Sequence, residues 1–126
     1  MSNFSALALI IATLFTTNVL AVWTLDRITT RAGQIFTGVV EGIPISTEYR
    51  RLLIFQNVLP AAANMAFVDF IGAFVMIGAV QSAGPASNVR WIGYVGALWN
   101  VVAGVQWLLL GGLSVLFLRS VVREAE

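Results

Sequence analysis

Leu52–Val80 reads LLIFQNVLPAAANMAFVDFIGAFVMIGAV, and the rest of the chain is best understood from it. Its 29 residues contain no Arg or Lys. At ~1.5 Å per residue a helix of that length crosses a hydrocarbon layer of about 30 Å. It carries one acid in mid-span, Asp69. An ionised carboxylate there costs about 2.5–3.5 kcal/mol on insertion scales, so Asp69 needs either a partner or a proton.

Composition sets the solvent. Of 126 residues 59% are hydrophobic and 10% charged, and the mean hydropathy is +0.89. Soluble domains run nearer 45–50% apolar and about 25% charged. A water-soluble core of this size cannot bury the excess, so an all-α membrane protein forming one domain, 1–126, is expected.

Missing residue types narrow the chemistry. Cysteine and histidine are absent, which removes disulfides, thiolate ligands, the commonest metal ligand and the usual general base near neutral pH. All seven cationic side chains are Arg, so there is no lysine for Schiff-base chemistry. Glu41 and Glu48 fall outside the expected spans and leave Asp69 without a second carboxylate. We therefore expect no enzyme, no cofactor and no metal. A net charge of +1 gives no footprint for nucleic acid.

The first expected span, Phe4–Leu25, is uncharged and has Trp23 near its end, with Asp26, Arg27 and Arg31 following. Met1-Ser2-Asn3 lacks the basic start of a cleaved signal peptide, so the span is read as retained. Its Thr13, Thr16, Thr17 and Asn18 can bond to backbone or to neighbouring helices. Residues 26–51 hold four of the seven Arg and cannot span. Within them Ile35, Phe36, Val39, Val40 and Ile43 recur at helical spacing, as in a short amphipathic segment lying in the interface. Pro44 stops it, and Ser46 with Glu48 suits the start of the helix that enters the second span.

Inside that span Pro60 removes the bond its N–H would make to the Gln56 carbonyl, so a kink is expected there. Residues 81–90, with Gly84-Pro85, form an outside turn. The third span, 91–118, opens with Trp91 and Tyr94 at the depth of an aromatic belt and closes before Arg119 and Arg123. The first loop and the C-terminal tail hold six of the seven Arg. By the positive-inside rule both are cytoplasmic and the N-terminus is outside, in a cell (inner) membrane.

Spacing also indicates what faces what. In the third span Gly93, Gly96, Asn100, Gly104, Trp107, Gly111 and Ser114 fall on one stripe. Lipid offers little hydrophobic drive between helices, so such a stripe is expected to be a close-packed seam. In the second span Ala62, Ala66, Asp69 and Ala73 form one polar or small stripe, and Asn57, Ala61 and Asn64 another. Asn64 and Asp69 lie about 140° apart, and Asn100 and Gln106 about 120° apart, at 100° per residue. One neighbour can hardly cover both members of either pair, so a second copy or another membrane subunit is expected. If the second and third spans are antiparallel, Asp69 is level with about residue 102 and Asn64 with about residue 107. Asn100 is then the nearest polar side chain to Asp69 by depth, and Gln106 to Asn64. Trp99 and Trp107 read as lipid contact and packing.

Two functions fit this pattern. The first is a small non-catalytic membrane subunit that helps assemble a larger complex or homo-oligomer. The alternative is a minimal oligomeric transporter or pore, ion- or proton-coupled through Asp69. In topology alone the chain resembles the phage holins, a likeness that implies pore formation.

Overall fold

A computed structural model describes residues 1–40, 58–83 and 88–125, with side chains placed for 1–30, 58–83 and 88–116. It contains three helices: α1 (Asn3–Val40), α2 (Leu59–Ser82) and α3 (Val89–Ala125). All three include segments long and apolar enough to cross a membrane: Asn3–Thr30, Leu59–Ser82 and Val89–Leu116.

Ser2 starts α1. Its Oγ accepts the Ser5 N–H at 3.1 Å and its carbonyl accepts the Ala6 N–H at 3.0 Å, which satisfies donors that a helix start leaves open. Neither Pro nor Gly interrupts the chain before Gly33, and α1 does not end where the charges begin. At that point the Arg27 guanidinium lies 5.3 Å from the Trp23 ring centre. The Thr29 hydroxyl donates to the carbonyls of Leu25 and Asp26 at 2.9 and 3.0 Å. Arg27 and Arg31 end the apolar stretch without ending the helix, because both are good helix formers. Positions 33–40 of the expected amphipathic segment therefore continue α1, and its last positions, 41–43, lie outside the described residues.

The described part of α2 begins at Leu59, with Pro60 in its first turn and Val58 already helical at φ −74°, ψ −50°. Gln56, whose carbonyl the expected kink would free, lies outside the described residues, as do Ser46, Glu48, Asn57 and the Gly84-Pro85 turn. At the far end Ala83 is extended, and its N–H turns back to the carbonyls of Ala79 and Val80 at 3.1 and 3.2 Å.

α2 is the middle element and the most buried of the three, and its contact with α3 is the most extensive. Glycines set the register. Gly93 of α3 meets Val80 of α2 and Ile10 of α1; Gly96 meets Met76 and Leu14; Gly111 meets Ala62 and Leu59. These pairs run α2 antiparallel to both neighbours and place Asp69 level with about residue 104 of α3, two residues further along than the span ends alone suggest. The core then divides in two. Ile10, Ala73, Met76, Val80 and Ala97 pack towards one end, and Ala62, Met65, Ala66 and Trp107 towards the other. The outer surface is apolar at membrane depth, with Phe15, Phe67, Phe74, Leu98 and Leu109 exposed. Each such side chain leaves about 1.5–3 kcal/mol of burial unrealised in water, a loss that a hydrocarbon environment removes.

Candidate functional site: a polar layer inside the bundle

Between the two apolar clusters the three helices place Thr17, Asp69 and Asn100, all buried, with exposures of 4%, 2% and 0%. Each helix contributes one residue. Asp69 is held inward because it shares a face of α2 with Ala62, Ala66 and Ala73, whose small side chains let the neighbouring helices close in. Asn100 is held inward by the glycines around it, since Gly93, Gly96 and Gly104 are also buried. Thr17 reaches it from α1.

The bonding is partial. The Thr17 hydroxyl lies 3.3 Å from Asn100 Oδ1 and 3.2 Å from the Leu14 carbonyl, so it can donate to either. Asn100 Nδ2 and Asp69 Oδ2 are buried and have no partner. The two-residue shift in register explains why. Asn100 lies across from Gly72, one turn beyond Asp69, and a Cβ at Gly72 would overlap Asn100 Nδ2. That same Cβ would sit 3.1 Å from the Thr17 methyl and 3.2 Å from the Thr13 methyl. Thr13 turns its hydroxyl away, onto the Leu9 carbonyl at 2.7 Å. Gly72 is thus the opening through which Asn100 reaches α2. Its spacing of three from Asp69 was the available signal, but neither polar stripe includes it.

The remaining predicted positions separate cleanly. Gly93, Gly96, Asn100, Gly104, Trp107 and Gly111 are all buried, and Ser114 is half-buried with its hydroxyl on the Leu110 carbonyl at 2.8 Å. Phe70 covers Gly104, its ring atoms lying 2.9–3.2 Å from where a Cβ would stand. Asn64 and Gln106 are exposed. They do not converge. Asn64 is about 120° around α2 from Phe70, the residue that covers Gly104, and Gln106 is about 200° on from Gly104 around α3. Each points away from the α2–α3 contact, so their similar depth does not bring them together. Trp99 has a role beyond lipid contact: its Nε1–H donates to Asn18 Oδ1 at 3.3 Å, tying α3 to α1 on the outer surface.

Chemically the layer offers one carboxyl, one amide and one hydroxyl. Among the described residues no three carboxylates come together as metal ligands would. Comparison of the chain with protein-family models, with curated proteins and with solved structures finds no match.

Proposed function

We propose that this chain is a small, non-catalytic integral membrane subunit that packs in, and helps assemble, a larger membrane complex or a homo-oligomer. One observation carries the reading: Asn64 and Gln106 stand exposed in mid-helix, where the outward residues beside them, Ala63, Phe67 and Ile71 on α2 and Val105, Leu108 and Leu109 on α3, are apolar. An amide facing lipid without a partner is costly, and a hydrogen bond from a neighbouring helix in the membrane returns about 0.6–2 kcal/mol. The neighbour that supplies it is a second copy or another membrane subunit. The setting is a cell (inner) membrane with the N-terminus outside and the C-terminus and residues 26–51 cytoplasmic, as the arginine distribution favours. In this setting the part of α1 beyond Thr30 carries the helix on into the cytoplasm.

Native mass spectrometry of gently solubilised protein tests the proposal. Oligomers or co-purifying subunits are expected, and Asn64→Leu with Gln106→Leu should shift the population to the free chain. A wild-type chain that is monomeric throughout, with both variants indistinguishable from it, refutes assembly as the role.

A second reading rests on Asp69, a buried carboxyl with an unpartnered oxygen at membrane depth. Intramembrane carboxyls commonly mark ion or proton pathways. On this reading identical chains form a minimal transporter or a holin-like pore. Ion flux in liposomes containing only this chain, abolished in a fully assembled Asp69→Asn, would replace the first reading with this one.

A further inference from the structure

The unpartnered atoms of the polar layer are complementary. Asn100 Nδ2 carries protons to donate, Asp69 Oδ2 carries lone pairs, and both are sealed from the surface. They also share one side of α2. The Asn100 amide lies against Gly72, and Gly72 follows Asp69 by three residues, a spacing that sets positions about 5–6 Å apart on a helix face. A direct bond needs about 2.9 Å, and none forms. A donor and an acceptor held one turn apart are suited to a bridge. A water molecule accepts from one and donates to the other, and with bonds of about 2.8 Å at a near-tetrahedral angle it joins atoms about 4.5 Å apart, within reach of two side chains that lean towards each other from those positions.

We propose that Asp69 Oδ2 and Asn100 Nδ2 bind a single internal water molecule, making the centre of this apolar bundle a hydrated site. The surroundings select water over other ligands. The methyl groups of Thr13 and Thr17 face Gly72 and close the α1 side, which keeps the site small. An amide nitrogen with its protons inward repels a metal cation, whereas a water oxygen accepts from it. The arrangement also tolerates either protonation state of Asp69. Water donates to a carboxylate or accepts from a carboxylic acid. This inference is independent of the assembly proposal, since it concerns the inside of one chain.

The test is water-edited solid-state NMR on the full chain, isotope-labelled and reconstituted in lipid bilayers. Magnetisation from water should reach the Asn100 side-chain nitrogen and the Asp69 carboxyl carbon at mixing times that leave Met76, buried in the adjacent apolar cluster, dark. Gly72→Ala should abolish transfer to Asn100, because the added methyl occupies the amide's place. Contacts between Met76 and Gly96 in the same spectra report whether that variant still folds. Wild-type protein alone also decides the matter. If Asn100 and Asp69 stay as dark as Met76, or if the amide nitrogen contacts the Asp69 carboxyl carbon directly with no water signal, the site is dry and the proposal fails.

Discussion

Adding one methyl group at different glycines of α3 should give sharply different stabilities, and Gly93 against Gly112 is the decisive pair. At Gly112 nothing lies within 4 Å of the new Cβ. Gly112→Ala therefore shows only the intrinsic helix gain, up to about 1 kcal/mol. At Gly93 the same atom overlaps Val80 Cγ2 and comes within 3.1 Å of Ile10 Cδ1. Val80 is β-branched and stiff at χ1, so it cannot swing aside and the helices must part. Overpacking of this kind costs about 1–3 kcal/mol. Gly93→Ala should thus fall about 1–3 kcal/mol below Gly112→Ala, roughly 5- to 150-fold in the unfolding equilibrium. Intermediate sites should rank by how readily the opposing group yields. Gly104 meets a Phe70 ring at 2.9 Å, Gly96 meets the flexible Met76 sulfur at 2.8 Å, and Gly111 meets only ordinary contacts at 3.4 Å. Reversible unfolding by SDS in mixed micelles, followed by circular dichroism, measures all five variants on one scale. Equal stability of Gly93→Ala and Gly112→Ala would show that the glycine face is not a packing seam.

Three further outcomes follow from the polar layer and the charges. Asp69→Asn should keep the bundle assembled, whereas Asp69→Leu should lose about 1–3 kcal/mol, because an apolar side chain there displaces the proposed water and leaves the buried Asn100 amide unsatisfied; matching losses in the same unfolding assay would contradict this. Thr17→Val should cost about 0.6–1.7 kcal/mol and Thr17→Ser much less, because only the hydroxyl reaches Asn100 Oδ1; a serine variant as weak as valine would assign the effect to the methyl group. Reporter fusions after Ser87 and at the C-terminus should read outside and inside respectively, and the same side for both would overturn the orientation drawn from the arginines.

The seam of α3 was legible in the sequence because small residues at 3-4 spacing encode close approach directly, with no need to know the partner. That Asp69 and Asn64 lie on different faces of α2 was legible for a similar reason, since angular separation on a helix follows from residue count. The register was legible only to about two residues, because it was anchored on span ends, whereas Gly93 against Val80 sets it. That small shift decides which residue Asn100 faces, and it moved the amide from Asp69 to Gly72. The length of α1 was hidden for another reason. Charges mark where lipid ends, and a helix rich in Arg and Thr carries on past that line. The Trp99–Asn18 bond was hidden because an indole on an outer face serves lipid and a polar partner equally well.

Asp69 and the amide beside it also arrive at different times. Synthesis runs from the N-terminus, so α2 enters the bilayer carrying its acid before any of α3 exists. At that stage the hairpin of α1 and α2 can shelter Asp69 only with the threonines of α1, and Gly72 faces an empty groove. Asn100 closes that groove when α3 inserts. A nascent chain stalled before Asn100 therefore carries the Asp69 carboxyl and the groove at Gly72 without the helix that covers them both. The order of the helices along the chain thus makes the third one the cover of a polar layer that the first two can only begin.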